Sequence, residues 1–191
     1  MALTADRIVE AACRILDEYG LGDLTMRRVA DALGVKAGAL YWHFPNKQSL
    51  LAAVSDQVLT DLDHPGTDAA GVLLGQWAAS VRALLLAHRD AAELVTSTRA
   101  MGLGEVDPAT GPRQGLLARG ASEDEADGVA QAFLHFVLGH VMEEQTQSQL
   151  AALGVIGSFD AERSQRHFDR GIRLLVSGVQ QDVPETTARF E

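Results

Sequence analysis

The sequence predicts an all-α fold, and three observations support that prediction. Apolar residues recur three and four positions apart along most of the 191 residues, which is the spacing of a helix with one buried face. Residues that favour helix N-termini, such as Thr4 and Thr25, precede these segments, and glycines such as Gly20 and Gly34 follow them. Glycine, proline and acidic residues cluster between the segments, at residues 63–68, 102–112 and 154–160.

The first 60 residues predict three short helices and the start of a fourth. The first helix follows Thr4, ends at Gly20 and has an inward stripe of Ile8, Ala11, Ala12, Ile15, Leu16 and Tyr19. The second, "MRRVADAL", is capped by Asp23 or Thr25, ends at Gly34 and has an inward stripe of Met26, Val29, Ala30 and Leu33.

The next two segments complete a helix-turn-helix pattern. "KAGALYWHF" predicts a third helix that ends before Pro45, and "KQSLLAAVSDQVLTDL" predicts a fourth that is capped by Asn46. Two short helices joined by a tight glycine turn are typical of a helix-turn-helix.

The third predicted helix carries more aromatic side chains than its own buried face can take. If Leu40 and Phe44 face the core, the remaining side chains of so short a helix cannot all be buried, and exposed aromatic rings indicate a binding partner. Tyrosine, tryptophan and histidine can donate to phosphate and stack on sugar, while Lys36 and Lys47 supply positive charge. These features favour DNA as the partner over simple packing within a small bundle.

The distribution of charge agrees with DNA binding at one end of the chain. The net charge is −10, yet residues 1–55 are neutral, and within residues 25–47 four basic side chains stand against Asp31 alone. Residues 56–191 therefore carry the whole net charge. A local basic surface on an acidic protein permits DNA binding and opposes non-specific adhesion.

The segment "LTMRRVADALGVKAGALYWHFPNKQSLL" resembles the DNA-binding head of the TetR family of bacterial transcriptional repressors, over residues 4–60. The hallmark is a helix that ends in Leu-Tyr-aromatic-His/Tyr-Phe, here Leu40 to Phe44, with Lys47 after a short turn. The resemblance implies a homodimer that binds double-stranded operator DNA. Its DNA-facing residues are then Thr25, Arg27, Lys36, Ala37, Gly38, Tyr41, Trp42, His43 and Lys47.

Two of these positions distinguish the chain from the tetracycline repressors. Those repressors have a glutamine and a proline where this chain has Ala37 and Gly38. Because alanine can contact only a thymine methyl group, we expect a different operator sequence, with Arg27 as the best candidate for a bidentate contact to guanine.

The rest of the chain, residues 61–191, predicts five further helices, and the resemblance implies that they form an effector-binding and dimerisation domain, separate from a DNA-binding domain at residues 1–60. The predicted helices cover residues 73–89, 91–101, 113–120, 123–153 and 161–181. Three segments resemble the tetracycline-repressor branch in particular: "LLLAHRDAAELVTSTR", "FVLGHVMEEQ" and "FDRGIRLLVSGV".

The resemblance implies an effector pocket in the same place but with a different ligand. Val95 replaces the family's magnesium-binding histidine, Trp77 and Val81 replace residues that hold the drug, and Asp63 stands at the place of a pocket histidine, with His64 one residue out of register. We expect a more apolar small-molecule effector than magnesium–tetracycline. Its predicted pocket residues are Trp77, Val81, Leu85, Thr98, Phe133, Met142 and Glu143.

The last two helices form the candidate dimer interface, although part of each apolar stripe is expected to fill the core of its own chain. Gly139, Gly171 and Gly178 permit close approach of helices. The stripes are Ala130, Phe133, Leu134, Val137 and Val141, followed by Phe168, Ile172, Leu175 and Val179.

Other chemistry finds little support in the sequence. Of His135, His140, Glu143 and Glu144, only His140 and Glu144 are one helical turn apart, so we expect no metal site and no cofactor. Cys13 lies within a helical pattern and is expected on the core side. We find neither a glycine-rich phosphate loop nor a nucleophile elbow, so we expect no enzyme.

The sequence therefore predicts a ligand-responsive DNA-binding transcriptional regulator, most simply a repressor that a small molecule releases from a palindromic operator. We expect it in the cytoplasm, because residues 2–20 show no secretory signal, and we expect no membrane partner, because no apolar run spans a bilayer. Two alternatives are a small-molecule-binding protein with a degenerate DNA head and a protein-interaction module anchored by Trp42. The direction of control, repression or activation, stays open.

Overall fold

The computed structural model describes residues 2–62 and 70–182, and side chains for residues 2–62 and 72–179. The predicted loop at residues 63–68, with Asp63 and His64, lies outside the described residues. The chain divides into two compact units: residues up to Asp61 together with Leu84–Asp107, and Leu62–Ala83 together with the residues from Pro108 onward. The predicted functional division at residue 60 stays a prediction.

Within the described residues all regular secondary structure is helical, as predicted. The helices there are α1 (Ala5–Tyr19), α2 (Met26–Leu33), α3 (Ala37–Leu40), α4 (Lys47–Val58), α5 (Ala70–Leu86), α6 (Ala91–Ala100), α7 (Thr110–Leu117), α8 (Glu123–Ala152) and α9 (Ala161–Asp182). A 3-10 turn, Leu21–Asp23, joins α1 to α2. None of these helices has the combined length and apolar character that a membrane span requires.

The predicted N-caps at Thr4, Thr25 and Asn46 are confirmed. The Thr4 hydroxyl accepts a hydrogen bond from Arg7 N at 3.3 Å, and the Thr25 hydroxyl accepts one from Arg28 N at 3.2 Å. At α4, Asn46 and Ser49 form a reciprocal capping box. Each cap satisfies an amide that has no partner inside its helix, which fixes the residue at which the helix begins.

Several helices begin or end at residues other than those predicted. The reason is that tight turns and a proline set helix ends locally. The predicted third helix extends to Phe44, whereas α3 ends at Leu40 and residues 41–43 form a turn. The predicted fifth helix includes Arg89, whereas α5 ends at Leu86. The predicted start of α7 at residue 113 is also wrong, since α7 begins at Thr110. Pro112 is compatible with this first turn because its missing N–H would have no helical partner.

The core of the first unit lies beneath α1, α2, α3 and α4 and also takes in Leu94 of α6. The predicted inward stripes of α1 and α2 are confirmed except at Tyr19, which is 41% exposed, whereas Leu33 is half-buried and packs against the core. The Arg28 guanidinium lies 3.8 Å from the centre of the Tyr19 ring. Tyr19 therefore contributes a cation–π contact at the surface and does not fill the core.

The second unit has its own core, built from α5, α7, α8 and α9. Trp77 of α5 is fully buried, and its indole Nε1 donates a hydrogen bond to the Pro108 carbonyl oxygen at 2.9 Å. This bond satisfies the one polar atom of the largest core side chain. The other fully buried side chains include Leu73, Leu74, Val81, Phe133 and Val137.

The structure changes the interpretation of the candidate dimer stripes. The five stripe residues of α8, from Ala130 to Val141, are all buried inside their own chain, so they are not free to form an interface. Gly171 of α9 lies against the Phe136 ring of α8, where a Cβ atom would clash with the ring. Gly171 therefore serves packing within one chain, whereas Gly139 and Gly178 have open space beside them.

One buried ion pair holds α5 to α8 in the second unit. The Arg82 guanidinium donates hydrogen bonds to both carboxylate oxygens of Glu144, at 2.8 and 3.0 Å from Nη2, and Glu144 is only 6% exposed. Arg82 also donates to Gln165 of α9. Burial and the nearby Arg82 charge lower the pKa of His140, which lies one helical turn before Glu144, although Glu144 opposes the shift.

Glu144→Gln is expected to destabilise the protein by about 3 kcal/mol, because it leaves the Arg82 charge buried without its counter-charge. Glu143→Gln is the matched control, since Glu143 is exposed and is expected to change stability by less than about 0.5 kcal/mol. Urea unfolding at one fixed protein concentration measures both. Equal midpoints for the two variants would contradict the assigned role of the ion pair.

The predicted core-side position of Cys13 is confirmed in part, because the side chain is half-buried against the core of the first unit. Burial, and secondarily the Asp17 carboxylate, raise the pKa of the thiol from 9.0 to about 11. The folded chain thus favours the neutral thiol. Its contribution to stability is complete below pH 9 and is lost as the pH rises towards 11.

Alkylation of Cys13 by iodoacetamide at pH 8 is expected to be about 100-fold slower in the folded protein than in the unfolded chain, because the thiolate is the reacting form. Mass spectrometry of timed samples, with and without guanidinium chloride, measures the two rates. Similar rates in both conditions would show that the thiol is not shielded in the folded chain.

Candidate nucleic-acid interface

The turn between α2 and α3 needs a glycine, and this turn sets the direction of α3. Gly34 has φ +66°, in the left-handed region that glycine adopts without strain. Its amide bonds back to carbonyl oxygens of the last turn of α2, and Val35 N donates to Ala30 O at 3.0 Å. This C-terminal cap ends α2 and returns the chain so that α3 can pack on the same core.

Two side chains anchor α3 and the turn that follows it. Leu40 is completely buried and Phe44 is nearly so, as the sequence predicts. Phe44 N donates to Leu40 O at 2.9 Å, so the two anchors keep helical spacing although α3 itself is short. Tyr41 is 50% exposed and Trp42 90% exposed, and the aromatic rings between the anchors therefore face away from the core.

Arg27 and Arg28 lie side by side in α2 but have different surroundings. Arg28 pairs with Asp23 and stacks over Tyr19, so it holds α2 to the turn before it. Arg27 is almost fully exposed, and its nearest acidic partner is Asp31, at 3.9 Å on the same helix. An exposed pair of that length contributes little, so Arg27 can turn towards another anion at small cost.

Most of the residues that are predicted to face DNA are exposed in the structure. Ala37 and Lys47 are half-buried, and the others are exposed, namely Thr25, Arg27, Lys36, Gly38, Tyr41, Trp42 and His43. We call these nine residues the reading surface. The Thr25 hydroxyl already caps α2, so this residue has a structural role in addition to any contact with DNA. The assignment of the nine residues to DNA stays a prediction.

Polar bonds join α4 to α6 and to the loop after it, within the first unit. The Thr98 hydroxyl lies 3.1 Å from the Ser55 hydroxyl, and both residues are buried. The Asp56 carboxylate accepts hydrogen bonds from the amides of Glu105 and Val106, each at 3.0 Å. A displacement of α6 or of its loop would therefore act directly on α4, which carries Lys47 at its first turn.

The predicted effector residues are distributed over both compact units. Trp77, Val81, Phe133, Met142 and Glu143 belong to the second unit, and Leu85 and Thr98 belong to the first. The five residues other than Met142 and Glu143 are buried, Met142 is half-buried, and Glu143 is exposed. Their role in effector binding stays a prediction.

A cavity of about 430 Å³ lies between the ends of α8 and α9 in the second unit. Among the predicted effector residues it includes Glu143, and its other lining residues include His140, Gln147, Arg163 and His167. Glu144, one of the residues considered as a metal ligand, is bound to Arg82, and its Oε2 lies 3.9 Å from His140 Nε2. Across the part of the chain that the structure describes, no three His, Cys, Asp or Glu side chains converge as metal ligands.

Sequence reasoning missed one polar cluster, at the corner between α5 and α6. We define this corner as His88, Arg89 and Asp90, and all three residues contact the end of α1 or the turn after it. The contacts join positions about seventy residues apart, so no local sequence pattern could have revealed them.

Comparison with known proteins identifies the family. Residues 8–54 match the family model described as bacterial regulatory proteins, tetR family, and residues 72–153 match the model described as tetracyclin repressor-like, C-terminal domain. The tetracycline repressor protein class A from transposon 1721 of Escherichia coli is 31% identical, over 93% of this chain and 90% of its own length.

Solved structures agree with the family match. Mycobacterium smegmatis BioQ is 38% identical with a TM-score of 0.86, covering 94% of this chain and 99% of its own. A second structure, of a BioQ protein with its natural double-stranded DNA operator, is 35% identical with a TM-score of 0.80, covering 94% of this chain and 99% of its own. A variant of TetR from Acinetobacter baumannii AYE, solved in complex with minocycline, is 28% identical with a TM-score of 0.79, covering 95% of this chain and 99% of its own.

These matches confirm both the predicted family and the tetracycline-repressor-like subtype of the C-terminal half. The family consists of DNA-binding transcriptional regulators and not of enzymes, as predicted. The chain belongs to the TetR family of bacterial regulatory proteins.

Proposed function

We propose that this chain is a cytoplasmic, homodimeric repressor that binds a palindromic operator and releases it when a small apolar effector binds. The observation that carries the proposal is the exposure of the reading surface around a buried pair of anchors, Leu40 and Phe44. A single helix-turn-helix buries too little surface for tight specific binding, whereas two related by a two-fold axis read two half-sites.

Different parts of the reading surface have different tasks in this proposal. Tyr41, Trp42 and His43 contact the DNA backbone and set the register. Lys36 and Lys47 supply positive charge to the phosphates. Arg27 reads guanine, because its guanidinium is exposed and only weakly paired. The small residues at 37 and 38 let the backbone of α3 approach the bases closely, with contact to a thymine methyl group.

The contacts of α4 with α6 support a route from effector to DNA. Thr98 is a predicted effector residue, and its hydroxyl is bonded to the carbonyl oxygens of Leu94 and Val95 as well as to Ser55 of α4. An effector that draws Thr98 into its own hydrogen bonds shifts α6 and, through Asp56 and the loop at Glu105, shifts α4. The spacing of the two heads then changes, and effector and operator weaken each other by the same factor.

The proposed effector is apolar because the predicted pocket residues are apolar. Trp77, Val81, Leu85 and Phe133 bring no charge, and Val95 cannot ligate magnesium. The indole N–H of Trp77 is already bonded to Pro108. Thr98 binds the ligand in this proposal by exchanging the hydrogen bonds that it makes in the free chain, and an apolar site with few polar groups fits the general pattern of ligand pockets.

Lys36→Ala is expected to lower operator affinity and to reduce the salt dependence of binding. Loss of one phosphate contact per subunit lowers the slope of log K against log salt by about 2 in a dimer. Fluorescence anisotropy with a labelled operator from the adjoining intergenic DNA measures the slope. The control is Arg166→Ala, which removes the same charge from an exposed site on α9.

The salt titration distinguishes the proposed function from its alternatives. A wild-type protein that binds no intergenic DNA at low salt would contradict operator binding altogether. An equal slope for Lys36→Ala and Arg166→Ala would remove Lys36 from the DNA contact. Tight binding with a flat salt dependence would favour an aromatic anchor on a partner other than DNA.

Trp77 provides a direct test of the effector site, because the Trp42→Phe variant keeps Trp77 as its one tryptophan. Magnesium–tetracycline is expected to leave Trp77 fluorescence unchanged, whereas an apolar effector found in a metabolite panel is expected to quench it. The same compound is expected to weaken operator binding at least about fivefold. A compound that quenches Trp77 without any change in operator affinity would contradict the proposed coupling.

A further inference from the structure

The corner between α5 and α6 holds the turn that connects α1 to α2. The Asp90 carboxylate accepts a hydrogen bond from Leu21 N at 2.8 Å. His88 Nδ1 lies 3.0 Å from an Asp17 carboxylate oxygen, and the Arg89 guanidinium reaches the Glu18 carbonyl oxygen at 3.4 Å. All of these residues belong to the first compact unit. Three consecutive side chains thus contact one short segment from which α2 begins.

The approach of the two segments is so close that it depends on a glycine. A Cβ atom at Gly20 would lie 2.6 Å from Asp90 Oδ2 and 3.0 Å from Arg89 Nε. Gly20 also has φ +87°, a conformation that other residues rarely adopt. The backbone conformation therefore restricts this position to glycine, and a Cβ atom would also displace the Asp90 and Arg89 side chains.

Asp90 is itself held in an unusual conformation. Its φ of +55° is in the left-handed region, and it is the one residue other than glycine with positive φ among the described residues. Aspartate tolerates this region better than most residues, but the conformation still has a cost, and surrounding contacts must maintain it. The bond to Leu21 is such a contact.

We propose that the corner residues, and Asp90 above all, are positioning residues for operator recognition. Asp90 fixes the turn at Leu21, and Arg28 ties α2 to the same turn through Asp23 and Tyr19. The position of the turn therefore sets the position of α2, which carries Arg27. The bonds from the corner to Asp17, Glu18 and Leu21 involve no residue of the reading surface, so the corner acts on that surface through α2.

The physical effect of the corner is pre-organisation. A head that is held in one orientation loses less freedom when it binds DNA than a head that samples several, so its affinity is higher for the same contacts. This inference rests on the proposed operator binding, but its structural part concerns the free dimer and is measurable without DNA.

Two substitutions at Asp90 separate the side-chain bond from the backbone conformation. Asp90→Gly keeps the positive φ and removes the acceptor, whereas Asp90→Asn keeps an acceptor of the same shape. Loss of a hydrogen bond to a charged group predicts an operator affinity about tenfold lower for Asp90→Gly. Asp90→Asn is expected to stay within about twofold of the wild type.

A distance measurement on the DNA-free dimer provides the readout that a merely structural role would not change. Cys13→Ala with Gln48→Cys leaves one exposed thiol per subunit for a spin label. Pulsed electron resonance then reports the head-to-head distance distribution. The distribution is expected to broaden in Asp90→Gly and to keep the width of the unsubstituted labelled protein in Asp90→Asn, at unchanged helix content by circular dichroism.

Each outcome decides the inference. A broader distribution with weaker operator binding in Asp90→Gly alone supports it, and an unchanged distribution in that variant overturns it. If Asp90→Gly does not fold, Asp17→Asn, which weakens the contact to His88 at an exposed site, is judged by the same criteria. If the wild type binds no operator, the proposed function fails, and the distance distribution still decides whether the corner orients the head.

Discussion

Burial of Leu40 and Phe44 is the interaction on which the DNA-facing half of this protein depends. A helix as short as α3 has no stability of its own in water, because nucleation costs more than its few hydrogen bonds return. Its conformation is maintained by two anchors in a core that α1, α2 and α4 share with Leu94 of α6. With the anchors inside, the tyrosine and tryptophan between them have to face solvent, so the exposed aromatic surface is a consequence of the packing.

The charged residues of the head also differ in whether contacts hold them in place or leave them exposed. The protein has a net charge of −10, yet Arg27 of α2 and Lys36, just before α3, are exposed, and Asp31 is the one acidic residue within residues 25–47. Neighbouring arginines differ in role because of what lies beside them: Arg28 contacts Asp23 and Tyr19, whereas the one acidic contact of Arg27 among the described residues is the long one to Asp31. An acidic regulator can therefore present a local basic surface and still avoid non-specific contacts with DNA.

The positions of α4 and of the turn between α1 and α2 are defined by polar bonds within the first unit as well as by its apolar core. Apolar packing tolerates small displacements in many directions, whereas the bonds from Asp56 to the loop at Glu105, and from Asp90 to Leu21, have defined geometry. The two sets of bonds hold the head at separate points, one at α4 and one at the turn between α1 and α2. In the second unit the Arg82 and Glu144 pair gives α5, α8 and α9 a comparable fixed point.

The sequence by itself determined the helical fold, the caps at Thr4, Thr25 and Asn46, the helix-turn-helix and its two anchors, because spacing and capping are local properties of the chain. Most of the reading surface was also predictable, since side chains that cannot fit on a buried face must be exposed. Tertiary structure alone decided that Tyr19 stacks under Arg28, that Gly171 makes room for Phe136, and that Asp90 holds the turn at Leu21. The physical reason is that these contacts depend on the relative placement of separate helices, which the periodicity of one segment does not encode.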